Sequence, residues 1–159
     1  MRIIKYAVEL DANKKNILVK EDSQNCPSIS NLGNPSRIRD MLNMVFHAGS
    51  KAEEHMWLIA LDSKCNPVGV FELSHGTVNS SLVSPREVFV RLCLCGAAAC
   101  VLAHNHPSGD PAPSNEDIEV TERIKEAGAI MNIKLHDHII IGEGMKYYSF
   151  AESQIVIGQ

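Results

Sequence analysis

The stretch from Ala97 to Asp117, A-A-A-C-V-L-A-H-N-H-P-S-G-D-P-A-P-S-N-E-D, leaves the backbone very few paths. The run Ala97–Ala103 is apolar and short, which predicts a buried strand. Pro107, Gly109, Pro111 and Pro113 then forbid a helix and favour turns that fold the chain back on itself. Ser114 reads as a helix N-cap, with Asp117 three residues later in the first turn. His104 and His106 are two apart, and in extended backbone such side chains share a face. Both imidazoles can therefore converge just past the strand's end. Two imidazoles and the Asp117 carboxylate suit a divalent zinc ion, and three protein ligands leave the fourth tetrahedral position open for water.

The rest of the chain predicts a frame for this unit. Residues 2–10 and 16–20 are β-branched runs around a polar turn at 11–15, a hairpin pattern. Residues 21–33 are polar, with Pro27 and Gly33, and predict an irregular connection. This first third is either a strand pair added to the domain edge or an appendage for a partner. Asn34 and Pro35 open a helix as N-cap and N1. Its apolar face is Ile38, Met41, Leu42, Val45 and Phe46, with His47 near the end and Gly49 as the stop.

Directly after Glu53 and Glu54, H-M-W-L-I-A-L-D predicts a central strand. Residues 63–67 turn the chain, and 68–73 return it as a partner strand. Ser84-Pro85-Arg86-Glu87 reads as a capping box opening a helix that ends near Gly96. That helix carries Val88, Phe89, Leu92 and Cys95 on one side. A further helix over 115–131 spaces Ile118, Thr121, Ile124, Ala127 and Met131 for burial. Strands at 133–141 and 145–150 close the chain around a G-E-G turn. The order β-β-α-β-β-α-β-α-β-β predicts an α/β (α+β mixed) domain, a mixed sheet with helices packed on it.

At 159 residues the chain suits one domain, a size that buries ~70% of the surface its unfolded chain exposes. A net charge of −4 gives no general attraction to nucleic acid or anionic membrane. No apolar run is long enough to span a bilayer, and Lys5, Glu9 and Asp11 break any secretion signal. Cys26, Cys65, Cys93, Cys95 and Cys100 are odd in number and lack a C-x-x-C spacing. They predict reduced packing thiols in a cytoplasmic protein.

Written as H-x-H-P-x6-S-x2-D, residues 104–117 match the signature of the JAMM (MPN-type) metalloproteases at every fixed position. With S-P-R-E-V-F at 84–89 and D-H-I-I-I-G at 137–142, the chain resembles the RadC-like branch over residues 34–151. The resemblance implies an MPN/JAB1-like fold, with a cytidine-deaminase-like mixed β-sheet flanked by helices. Residues 1–33 then form an N-terminal extension and 152–159 a C-terminal tail. It also implies a zinc-dependent hydrolase of amide bonds, peptide or isopeptide, acting on a peptide or protein substrate.

In this family a glutamate just before a core strand serves as general base. Glu54 is the positional match, and Glu53 is the neighbour that a one-residue slip would select; only one can reach the site, since strand neighbours face opposite ways. Glu72 and Glu87 are poorer candidates. Ser114 matches the motif serine, whose hydroxyl helps stabilise the oxyanion, although an N-cap role competes for it. Asp137 and His138 match the D-H of the RadC-like pattern and either stand near the metal ligands or hold polar backbone contacts. Asp110 receives no role.

Two other readings stand beside this one. A DNA-acting or DNA-repair protein is suggested by the family's traditional label, but the chain is acidic and has no Lys/Arg stripe. His104-Asn105-His106 is not an HNH nuclease motif, whose residues spread through a ββα unit. A catalytically silent MPN scaffold is the third, although silent members typically lose motif residues that are all present here.

Overall fold

A computed structural model describes residues 1–76 and 83–157. Seven strands form one mixed sheet: β1 (Arg2–Leu10), β2 (Asn16–Asn25), β3 (Glu54–Leu61), β4 (Pro67–Gly76), β5 (Ala99–Asn105), β6 (Lys134–Ile141) and β7 (Tyr147–Ser149). Their spatial order is β2-β1-β4-β3-β5-β6-β7. Helix α1 (Pro35–Phe46) lies on one side, and α2 (Pro85–Leu94) and α3 (Asn115–Met131) lie on the other. A short helix, α4 (Phe150–Ser153), ends the fold.

The central strands are apolar on both faces because both faces are covered. Met56, Leu58, Ala60, Leu102 and Ile140 pack towards α2 and α3, among Val88, Phe89, Leu92, Val120 and Ile124. Trp57, Ile59, Leu61, Val101, Ala103, Ile139 and Ile141 pack towards α1, against Ile38, Met41 and Leu42. Burying each of these larger side chains contributes about 1.5–3 kcal/mol. β5 runs antiparallel to β3 and parallel to β6. A parallel pair needs a crossover, and α3 provides it.

Several elements depart from the pattern-based expectations. β2 continues to Asn25, because β1 pairs along its whole length from Arg2↔Asn25 to Leu10↔Asn16, with the register shifting past Glu21 between Lys5 and Tyr6. The hairpin thus extends one end of the sheet. α1 ends one turn before Gly49: His47, exposed and at φ 54°, is the left-handed cap, and Ala48–Ser50 form a 3-10 turn. Ala97 and Ala98 precede β5, while His104 and Asn105 belong to it.

The last strand is only three residues long, since Ser149 caps α4 by accepting from the Glu152 N–H at 3.0 Å. Ser84 caps α2 by accepting from the Glu87 N–H at 3.3 Å, but the Glu87 carboxylate turns to Arg91 at 2.9 Å instead of closing the box. On α3, Val120 and Gly128 are buried and Met131 is 45% exposed, so the inward stripe is rotated from the expected one. Of the expected tail, Val156 and Ile157 are buried and residues 158–159 lie outside the described residues.

Candidate metal centre

The centre forms where β5 leaves the sheet and α3 begins. His104 is the second-last residue of β5, opposite Met56 of β3 and Ile140 of β6. His106 lies one residue past the strand, but its N–H still donates to the Ile141 carbonyl at 2.9 Å, so the backbone stays extended. The two imidazoles therefore share a side, with their Nε2 atoms 3.0 Å apart. Gly109, at φ 80°, donates its N–H to the His106 carbonyl at 2.9 Å and closes the turn.

Asp117 arrives from α3. Its Oδ2 accepts from the Ser114 N–H (2.8 Å) and hydroxyl (2.7 Å), while its own N–H donates to Ser114 Oγ at 3.2 Å. This capping box points the carboxylate back over the helix start. Asp117 Oδ1 lies 3.2 Å from His104 Nε2, and Oδ2 lies 3.6 Å from His106 Nε2. Glu54 opens β3, and its Oε1 stands 3.8 Å from His104 Nε2. Ligand atoms of Glu54, His104, His106 and Asp117 all lie within 4.8 Å of one another.

Proton positions follow from the surrounding bonds. His106 Nδ1 faces the Asp110 carbonyl at 2.8 Å. A carbonyl only accepts, so Nδ1 carries the hydrogen and Nε2 presents a lone pair. A buried chain fixes His104 in the same way. The Thr121 hydroxyl donates to the Asp117 carbonyl at 2.5 Å and so must accept from His138 Nδ1 at 2.6 Å. Burial, then the nearby His104, hold the His138 pKa well below the ordinary imidazole value, which keeps that ring neutral. His138 Nε2 therefore accepts from His104 Nδ1 at 2.9 Å, and His104 Nε2 is left as an acceptor.

Two imidazole lone pairs and two carboxylates thus face one point, and a cation satisfies all of them. The three shortest separations bracket the edge of about 3.3–3.4 Å expected when ligands sit 2.0–2.1 Å from a tetrahedral centre. The neighbouring Asp117 carboxylate raises the His106 pKa, against the pull of burial. Burial alone would raise the Asp117 pKa, but its interactions with both imidazoles and the Ser114 hydroxyl hold it far below the carboxylate range. The Glu54 pKa is raised by burial, against the pull of His104 and His106.

Glu54, not Glu53, faces this cluster. Glu53 is exposed, and its carbonyl accepts from the Asn105 side chain at 3.0 Å. An open cleft of about 320 Å³ lined by Ala52, Glu53, Glu54, Gly76 and Pro107 lies alongside. Glu72 belongs elsewhere, paired with His55 at 2.7 Å and Lys5 at 3.2 Å. Asp110 caps its own loop by accepting from the Ala112 N–H at 3.1 Å.

The D-H pair divides its work. His138 reaches His104, whereas Asp137 accepts from the Ser149 hydroxyl (2.6 Å) and the Ala151 N–H (2.9 Å) and anchors α4. Thr121, read from sequence only as a packing position, is the residue that reasoning missed. Its spacing of four from Asp117, on the same helix face, was the available signal.

Residues 32–155 match the RadC-like JAB domain. The chain belongs to that family. A relative from Pelobacter propionicus, named UPF0758 protein, is 48% identical over 103 residues, which cover 65% of this chain and 44% of that one. A Desulforudis audaxviator protein of the same name is 54% identical over 90 residues, 57% of this chain and 39% of the relative. One from Geotalea uraniireducens is 41% identical over 125 residues, 79% of this chain and 54% of the relative. The chain thus spans about half the length, or less, of the curated relatives it matches. No helix among the described residues is long and apolar enough to cross a membrane.

Proposed function

We propose that this RadC-like JAB domain is a zinc-dependent hydrolase of amide bonds, peptide or isopeptide, acting on a peptide or protein in the open cleft beside Glu54. The observation that carries the reading is the division of the four side chains. His104, His106 and Asp117 approach one another at 3.0–3.6 Å, while the Glu54 carboxylate stands off at 3.8 Å. Three donors at ligand spacing leave a tetrahedral position open, and the fourth group stands where a proton acceptor is needed. Zinc, when bound there, supplies Lewis acidity, making water nucleophilic near pH ~7 and polarising a carbonyl.

The chain's own groups do the rest. Glu54 takes a proton from the attacking water and delivers it to the leaving amine. In the metal-free site burial raises its pKa, against the pull of His104 and His106. Ser114 is proposed to donate to the developing oxyanion. Its hydroxyl is held by Asp117 at 2.7 Å, so that role requires it to exchange partners. The five cysteines are free, in keeping with a reducing, cytoplasmic setting. The net charge of −4 favours a protein substrate over nucleic acid.

The test is metal content by elemental analysis together with cleavage of a peptide library, with and without chelator. The reading expects one zinc per chain and chelator-sensitive cleavage. It also expects Glu54→Gln to keep the metal and lose ~10²–10⁴-fold in rate. Full zinc occupancy in a His104→Ala/His106→Ala double variant would remove this site from consideration.

A further inference from the structure

The residue between the two histidines has no place in the metal cluster, yet it is 1% exposed and hydrogen-bonded through both its carboxamide oxygen and nitrogen. Asn105 lies at the end of β5, and the regular β3–β5 register stops one pair earlier, at Met56↔His104. Beyond that pair the Asn105 side chain takes over from the main chain. Its Oδ1 accepts from the His55 N–H at 2.9 Å, and its Nδ2 donates to the Glu53 carbonyl at 3.0 Å. These two backbone groups flank Glu54. A carboxamide carries one acceptor and a pair of donors, so it can present to β3 the groups that a residue of a neighbouring strand would present. On its other side Glu54 pairs with Gly76 of β4.

We infer that Asn105 is a positioning residue: its carboxamide clasps the peptide groups on either side of Glu54 and sets that carboxylate against the metal ligands. The inference rests on the hydrolase reading for its kinetic consequence, but not for its structural one. The cluster needs two strands in fixed relation, since β5 carries the histidines and β3 carries the glutamate. Without the clasp, the first residue of β3 would have ladder bonds on one side only, and strand ends so held fray. Aspartate cannot replace the asparagine fully, because a carboxylate accepts from His55 but has nothing to donate to Glu53.

The test uses Asn105→Ala and Asn105→Asp, with amide hydrogen exchange on the metal-free protein, zinc affinity by chelator competition, and steady-state cleavage. In Asn105→Ala the His55 amide should exchange ~10-fold faster, as for one lost hydrogen bond. Zinc affinity should stay within ~3-fold of wild type, since outer contacts that do support a ligand cost 10–100-fold when lost. Turnover should fall towards that of Glu54→Gln, in kcat rather than KM, and adding Asn105→Ala to Glu54→Gln should cause no further loss. Asn105→Asp should keep the His55 amide protected and still lose turnover.

Unchanged His55 protection in Asn105→Ala would overturn the inference, as would a zinc affinity that falls with it or full turnover in Asn105→Asp. If the alanine variant does not fold, the aspartate variant alone decides. Should Glu54→Gln retain full turnover, the hydrolase reading fails, while exchange at His55 still reports on the clasp.

Discussion

Thr121→Val probes the buried chain behind His104. The substitution exchanges a hydroxyl for a methyl of similar size and leaves no cavity. It removes the acceptor for His138 Nδ1 at 2.6 Å and the donor to the Asp117 carbonyl. Thr121 and His138 are both 0% exposed, so no water replaces the lost partner. A buried donor left unpaired costs about 1–3 kcal/mol, and the second broken bond adds up to about 1 kcal/mol more. A net loss of about 2–3 kcal/mol lowers the melting temperature of a domain this size by about 4–12 °C.

Zinc affinity should fall as well, by ~10–100-fold, because the hydrogen on His104 Nδ1 loses its fixed acceptor. Urea unfolding of the metal-free protein measures the first effect and competition with a chromogenic chelator the second. Thr121→Ser keeps the hydroxyl and should restore most of the zinc affinity. A valine variant as stable as wild type, with unchanged zinc affinity, would refute the proton assignment along this chain.

Ser114→Gly should keep zinc content and lose only a few tenths of a kcal/mol, since glycine is a tolerable N-cap and the backbone bond to Asp117 remains; if the hydroxyl serves the oxyanion, cleavage falls ~10²–10³-fold, whereas near-normal cleavage would show the serine is only a cap. In Gly142→Ala the new Cβ would lie 2.6 Å from the Gly109 carbonyl and 2.9 Å from Pro111 Cδ, so the loop after His106 must shift. That overpacking should cost about 1–3 kcal/mol and weaken zinc binding, and a thermal melt beside Gly33→Ala, which meets nothing closer than 3.4 Å, checks it. In the metal-free protein burial raises the Glu54 pKa above the ordinary glutamate range. The same shift makes the folded state bind the extra proton, so stability falls as pH rises from the unfolded to the folded pKa. Glu54→Gln should therefore stabilise the metal-free protein at neutral pH, a gain that disappears below the ordinary glutamate pKa.

The parts of this site that lie within one stretch of chain were legible in the sequence. Alternation in extended backbone joined His104 to His106, and cap chemistry placed Asp117 through Ser114. Contacts between distant segments were legible only through the family resemblance, which named Glu54 and left two roles open for His138. His138 lies on a strand reached only through the α3 crossover, and nothing in the residues of β6 states that Leu102 faces His138 across the parallel register. Asn105 stands at the unfixed position of H-x-H, and its bonds run to main-chain groups of residues 53 and 55, which leave no mark in a side-chain pattern. The end of α1 falls earlier than expected because His47 takes the left-handed conformation that glycine favours, while its N–H bonds to the Asn43 and Leu42 carbonyls.

The two oxygens of Asp117 face different masters. Oδ2 accepts the bonds that start α3, and Oδ1 looks towards His104. A cation drawn to the second oxygen is thereby coupled to the winding of the first helical turn, and its occupancy is thermodynamically linked to folding. A ligand at 100 times its dissociation constant adds about 2.7 kcal/mol to a folded state that alone binds it. The melting temperature of this domain thus becomes a gauge of its metal preference. A panel of divalent ions would be ranked by how far each one raises it, with no substrate in hand.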